Sequence, residues 1–320
     1  HHSEIGGRVS SDNREVYEEG LYIPPVKLYD AGVLNEAVLE MIRWNVRTPE
    51  EVTGDLRSQV AANHVCAQKI VEMMTDEGLS TLDELADEII MRTEKSMRGA
   101  IQSIPNGIYP FEGVIEGSGK RDDIRIKLTV NVEDSDIRVD FDGTAPQVDW
   151  GVNVVYNFTY AYVFMAIKSA FDPDLPINEG AIRPVKMTAP EGSVVNCSFP
   201  APVAARMQVG HFMTEMVFRA LSEATPDHII AGSGGTPAQT NIFYGKRNNG
   251  KPWHTMIIRG GGLGAAKKQD GHHCAIFPAN GANTPVEILE SDTPLLVASR
   301  ELLCDSGGAG AHRGGLGRRM

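Results

Sequence analysis

Long apolar runs are missing from this chain. No run approaches the roughly 20 residues needed to cross a bilayer, and the longest candidate, NFTYAYVFMAIKSAF at 157–171, is short and carries Lys168. It reads as a buried helix. Basic blocks are missing too. The formal net charge of −12, from 42 acidic against 30 basic residues, repels phosphates, so neither a nucleic acid nor an anionic membrane is expected as the main partner. Only the closing HRGGLGRRM is locally basic. The four cysteines, Cys66, Cys197, Cys274 and Cys304, contain no C-x-x-C pair, which removes zinc-finger spacing. They read as free buried thiols of a reducing compartment, and the cytoplasm is the expected location.

Nucleotide and nucleophile motifs are also lacking. GVIEGSGKRDD at 113–123 approaches a phosphate loop, but Val114 stands where the first glycine belongs and Arg121 where the hydroxyl residue belongs. It joins two strands and reads as a hairpin turn. Gly260 and Gly262 lack the third glycine of a dinucleotide fingerprint, Ala265 taking its place, and Pro278 with nearby Asn-Gly turns leaves no room for the helix. Ser233 sits in no G-x-S-x-G elbow. His64 and His211 fall on amphipathic helical patterns and read as core or flank residues.

What is present is regular. Residues 1–32 are extended and turn-rich, with Pro24-Pro25 excluding a helix. From 33 to 104 the period is helical. Val38, Leu39, Ile42 and Val46 mark one helix. Thr48-Pro49 with Glu51 opens a second that ends at Gly78, and Ser80 with Asp83 opens a third. From 105 to 150 alternation at Ile124, Ile126, Leu128, Val130 and Val132 predicts a three-stranded antiparallel meander. The stretch 151–320 is mixed: a helix near 153–171, strand-like pieces at RPVKMTAP and SVVNCSF, a helix over 204–225, strands at TNIFYG and HTMIIRGGG, then glycine-rich loops. The fold class is α+β, a helical hairpin, an antiparallel β-meander and a mixed Gly-rich α/β lobe.

Three constellations could carry chemistry. His1, His2 and Glu4 suit a borderline divalent cation (Zn, Mn or Fe), with Gly6-Gly7 allowing close backbone approach; a purification-tag remnant fits the paired histidines as well. Gly260, Gly261 and Gly262 can line an anion-binding concavity with their N–H groups, and Asp270, His272, His273 and Glu287 nearby can bind metal or carry protons, or the stretch is an ordered loop. DSGGAGAHRGGLG, with Asp305, His312 and Arg313, is either a functional loop or a flexible tail.

Taken in order, HHSEIGG, REVYEEGLYIPPVKL, NVRTPEEVTGDL, VDFDGTAPQ, INEGAIRPVKMTAPEGSVVNCSFP, GGGLGAAKKQDG, NTPVEILE and DSGGAGAHRGGLG resemble the hydantoinase B/5-oxoprolinase β-type family over essentially the whole chain. Acetone and acetophenone carboxylase subunits share the framework. The resemblance implies a longer protein, with an upstream segment and a continuation past RGGLG. It implies that His1, His2 and Glu4 belong to a divalent-metal site, with Glu4 in place of the commoner Asp, and that Glu18 and Glu19 support its histidines. It also implies a hetero-oligomer with a hydantoinase A-like ATPase, which binds the ATP and phosphorylates a small cyclic-amide carbonyl. The chain described here then opens the ring by metal-activated hydrolysis. Two alternatives share these motifs: a subunit of an ATP-dependent ketone carboxylase, and a non-catalytic scaffold for the ATPase half.

Overall fold

The structure, a computed structural model, describes residues 10–117, 119, 121–234, 239–279, 281 and 283–319. An extended start with one tight turn at Val16–Glu18 leads into a minimal hairpin, β1 (Tyr29–Asp30) and β2 (Val33–Leu34). Helix α1 (Glu36–Trp44) follows, capped by Asn35, whose side chain accepts from the Val38 N–H at 3.3 Å. It buries Val38, Leu39 and Ile42, the positions its spacing marked. Val38 and Ile42 meet Val52 of α2 (Pro49–Asp76) in a small separate cluster.

Helix α2 starts at Pro49 as expected, but the Thr48 hydroxyl makes no capping bond and is buried without a partner. After its first turns α2 leaves the body of the protein, and residues 61–73 are exposed all round. It ends just before Gly78, which takes φ +65°. The cap expected at Ser80 does not form: the N-cap residue is Leu82, which makes no side-chain capping bond, while just ahead of it the Thr81 Oγ1 accepts from the Asp83 N–H at 3.2 Å. Helix α3 (Asp83–Ile101) drives Met97 and Ile101 into the main core.

The predicted meander forms as β3 (Gly107–Ile115), β4 (Ile124–Glu133) and β5 (Asp136–Asp140). The chain leaves the sheet through α4 (Tyr156–Phe171) and α5 (Glu179–Ile182), then returns as β6 (Val185–Thr188), parallel to β5. The sheet order is β3-β4-β5-β6. Ile124, Ile126, Leu128, Val130 and Val132 are all buried on one face, with Ile137 and Val139 beside them, the pattern of an antiparallel sheet covered on one side. Hydroxyls of Tyr156 and Tyr160 on α4 donate to the carbonyls of Met187 and Val185 at 2.7 Å each, fixing that helix over β6.

Two sequence expectations change here. SVVNCSF forms no ladder, because the amides of Val194 and Cys197 donate to Ala145 and Val154 in neighbouring loops. The helix expected over 204–225 is divided into α6 (Met207–Gly210) and α7 (Phe212–Leu221) at His211. Gly210 lies against the Phe158 ring, where any side chain would collide. Helix α7 packs Met213, Met216, Val217 and Leu221 into the core.

The last third holds the two expected strands, β7 (Gln239–Lys246) and β8 (Pro252–Arg259), paired as an antiparallel hairpin, then α8 (Val286–Asp292) and a short pair, β9 (Glu301–Leu302) with β10 (Arg318–Arg319). Its loops are packed backbone on backbone. A side chain at Gly262 would strike Gly315, one at Gly264 would strike Ala231, and one at Gly271 would strike the Leu263 carbonyl. The half-buried Glu215 carboxylate of α7 accepts from the Ser233 N–H at 2.7 Å and joins this lobe to the main core.

Candidate functional site

The residues that follow the HHSEIGG motif form a strap across the main body. Ser11 accepts from the Gly151 N–H at 3.0 Å, and Gly151 has no room for a side chain because the Ser10 carbonyl lies over it. The Val16 N–H donates to Pro200 at 3.0 Å. Glu19, buried, accepts on one carboxylate oxygen from the N–H groups of Val203 at 2.5 Å and Ala204 at 2.8 Å. Tyr17 and Tyr22 rest on the Phe199 ring at 5.5 and 5.8 Å between centroids. The loops receiving the strap are held by Asn153, fully buried, whose amide donates to Val148, Trp150 and Pro202 and whose oxygen accepts from Val148.

Beside the strap lies a cleft of about 830 Å³ lined by Asp12, Arg14, Arg121, Asp123, Gln147 and Trp150, among others. The Arg121 guanidinium stacks 4.5 Å over the Trp150 ring, pairs with Asp12 at 2.6 Å and reaches the Ser11 hydroxyl at 3.3 Å. It thus ties the β3–β4 connection to the strap and carries a cation–π contact as well as an ion pair. A cleft of this size, with converging charged groups at its rim, suits a small polar ligand.

Burial governs the electrostatics below the strap. It raises the Glu19 carboxyl above its usual range, against the lowering effect of the two amides and of Arg206. Burial likewise raises the Cys197 thiol to about 11, with the nearby Glu19 adding to the shift. Cys197 is therefore an unreactive thiol at neutral pH. His211, at the helix break, is lowered to about 4 by burial and is neutral at pH 7; its ring lies 5.2 Å from Tyr162 and its Nδ1 has no partner.

His1, His2 and Glu4 lie outside the described residues. Among the described residues no group of three or more His, Cys, Asp or Glu converges as a cation site. The donor chemistry of His1, His2 and Glu4, two imidazoles and a carboxylate, fits a borderline divalent ion. Glu19 is moored in the body, whereas Glu18 is exposed and receives the Arg14 N–H at 3.4 Å. Gly260 lies against the backbone of Cys274 and Ala275, Gly261 bridges to Ala275, and Gly262 lies against Gly315. Asp270 accepts from the Arg313 N–H at 2.9 Å and has His312 Nδ1 at 3.3 Å, while Glu287 is exposed on α8. His64 is exposed on α2, and Cys66 on the same helix and Cys304 are exposed too, so the four thiols are not the buried set that their spacing suggested. Sequence reasoning missed Arg121, Trp150 and Asn153. Arg121 was visible as the residue that spoils the phosphate-loop pattern, but its partners come from two distant segments and left no local signal.

Comparison with known proteins gives a consistent answer. The family model described as Hydantoinase B/oxoprolinase matches residues 1–320. The putative D-/L-hydantoinase B subunit of Pseudomonas sp. (strain NS671) is 35% identical over 335 residues, covering 99% of this chain and 56% of that protein. The crystal structure of the ATP-dependent caprolactamase from Pseudomonas jessenii superposes with TM-score 0.90 at 28% identity, over 98% of this chain and 56% of that one. The nucleotide-free acetone carboxylase has the same fold, with TM-score 0.87 at 20% identity over 99% of this chain and 45% of that one. The chain spans about half the length of the curated relatives it matches. The α+β architecture is that of these proteins, and the chain belongs to the hydantoinase B/oxoprolinase family.

Proposed function

We propose that this chain is the metal-bearing, ring-opening part of an ATP-dependent cyclic-amide hydrolase that works with a hydantoinase A-like ATPase subunit. The single observation that carries the reading is the family match from end to end, from the HHSEIGG motif to the RGGLG loop. The mooring of the adjoining strap beside a charged cleft supports it. His1, His2 and Glu4 would hold the divalent ion, which supplies Lewis-acid activation of water when bound. The chain's own residues then do the positioning. Glu19, fixed by the amides of Val203 and Ala204, holds the strap in place. Arg121, stacked on Trp150 and paired with Asp12, sets one wall of the cleft.

The chemistry explains the division of labour. Amide resonance makes a small lactam or imide a poor electrophile, and phosphorylation of its carbonyl oxygen by the partner, at the expense of ATP, creates a leaving group. Water then attacks the carbon, the C–N bond breaks as the nitrogen takes up a proton, and the acyl phosphate left behind is hydrolysed by a second water to the carboxylate and free phosphate. No nucleotide motif is needed in this chain for that scheme, which assigns ATP to the partner.

The test is a panel of hydantoins, 5-oxoproline and simple lactams, incubated with the full-length protein and its ATPase partner with and without ATP. ATP-dependent ring opening of at least one compound is expected. No opening across the panel overturns the proposal, and bicarbonate-dependent consumption of acetone or acetophenone would assign the complex to the carboxylases instead.

A further inference from the structure

Helix α2 carries a second pattern beyond the turns that dock it on α1. Leu56, Val60, Asn63, Ala67, Ile70 and Met74 follow one another at alternating steps of four and three residues. This is the seven-residue spacing that keeps one stripe of a helix turned toward a partner helix. The stripe runs for about 27 Å at the usual helical rise. It begins after Thr53, which is buried in the body, and stops before the charged Glu77. Leu56, Val60 and Met74 are half-buried, and Leu56 leans on the α1 cluster, but Asn63, Ala67 and Ile70 are exposed.

The order of residues along the stripe selects its occupant. Against a second copy laid antiparallel, about a two-fold axis level with Val65, Leu56 meets Met74, Val60 meets Ile70, and Asn63 meets the small Ala67. The same pairs recur beyond the axis, as an isologous contact requires. A parallel pair would set Asn63 on Asn63 and Ala67 on Ala67, a polar layer followed by a gap. The flanking positions obey the same axis. Arg57 comes beside Val71 and Gln59 beside Met73, so no like charges oppose each other there. Val71 and Met73, 62% and 40% exposed in one chain, gain cover in this way. Lys69, Glu72 and Asp76 all stay on the outer face. Among the large apolar side chains of the helix, Val65 alone is left outside the contact.

We propose that α2 pairs with α2 of a second copy of this chain as an antiparallel coiled coil, making the exposed helix a dimerisation arm. The pairing is separate from the ring-opening reading and does not depend on it. One helix face over about 27 Å lies at the small end of specific interfaces, so the pairing depends on concentration. A dilute single chain leaves the helix to its own propensity.

The test uses the full-length protein with its ATPase partner. The axis sets Cys66 of the two copies side by side on one flank of the coil, and a short bis-maleimide is expected to join Cys66 to Cys66, as read by peptide mapping. In a Cys66→Ser background, Gln59→Cys together with Met73→Cys is expected to link position 59 to position 73. Those positions lie about 21 Å apart along one helix, beyond the reach of the reagent, so that link forms only between copies. Ile70→Asp places a carboxylate in the seam and is expected to lower the Cys66 link at least tenfold, whereas Lys69→Asp on the outer face leaves it unchanged. The proposal is overturned if Cys66 does not link to itself, or links instead to another part of the chain or to the ATPase partner. It is equally overturned if position 59 links to position 59, if Ile70→Asp links as well as wild type, or if Lys69→Asp loses the link to the same extent.

Discussion

Glu19 and His211 carry opposite pH signatures, and each can be read separately. The Glu19 carboxyl is raised above 4.5 by burial. The stability its neutral form provides is complete below that value and is lost as pH rises through the raised one. Glu19→Gln keeps an oxygen for the amides of Val203 and Ala204, so thermal unfolding is expected to show it more stable than wild type at pH 8, with the gap closing by pH 4. Glu19→Ala leaves both amides without an acceptor and is expected to cost about 1–3 kcal/mol. His211 runs the other way. Its pKa is lowered from 6.5 to about 4, so its contribution is complete above 6.5 and is lost as pH falls toward 4, a total of about 3 kcal/mol. His211→Phe should flatten that acid limb in denaturant titrations at pH 4 to 7, and an unchanged limb would mean that other groups govern it. Neither residue showed this in the sequence. Glu19 is one of two adjacent glutamates, and only burial of its side chain under the strap separates it from the exposed Glu18.

At the scale of elements, the sequence was most readable where one face alone is buried. The period-2 run from Ile124 to Val132 and the helical spacing of Val38, Leu39 and Ile42 are visible because every second or every third to fourth side chain meets the same core. The reading faded where long-range contacts decide. Nothing local divides the 204–225 pattern at His211; the Phe158 ring pressed on Gly210 comes from another helix. Nor does SVVNCSF announce that its amides will be taken by loops near residues 145 and 154. Helix α2 has the opposite character, with apolar Val65, Ile70, Val71 and Met73 left exposed along its length. Its stability rests on propensity rather than on packing. Hydrogen exchange of this chain is expected to be faster for amides 61–73 than for those of α4, whose Val163, Ala166 and Ile167 are fully buried. Equal protection of the two helices would show that α2 is covered in solution.

The whole molecule joins a main core that fixes the strap to a glycine-packed lobe. The family resemblance was legible because its motifs lie in order along the chain, and the end-to-end family match agrees with it. The cleft was not legible, since Asp12, Arg121 and Trp150 are far apart in sequence and meet only through the fold. Elemental analysis of the full-length protein is expected to find a divalent ion that His2→Ala loses and Glu4→Asp keeps; an ion retained by His2→Ala would place the site elsewhere. In the lobe, Gly262→Ala should force Gly315 aside and cost about 2 kcal/mol or more by chemical denaturation. That steric arrangement bears on how related sequences are compared. Where two stretches of backbone touch, as at Gly262 with Gly315 and Gly264 with Ala231, every other amino acid is excluded by volume whatever the protein does. Invariance at such positions in a set of relatives would record the absence of space, and the residues that distinguish one substrate from another should be sought at neighbouring positions that still have room to vary.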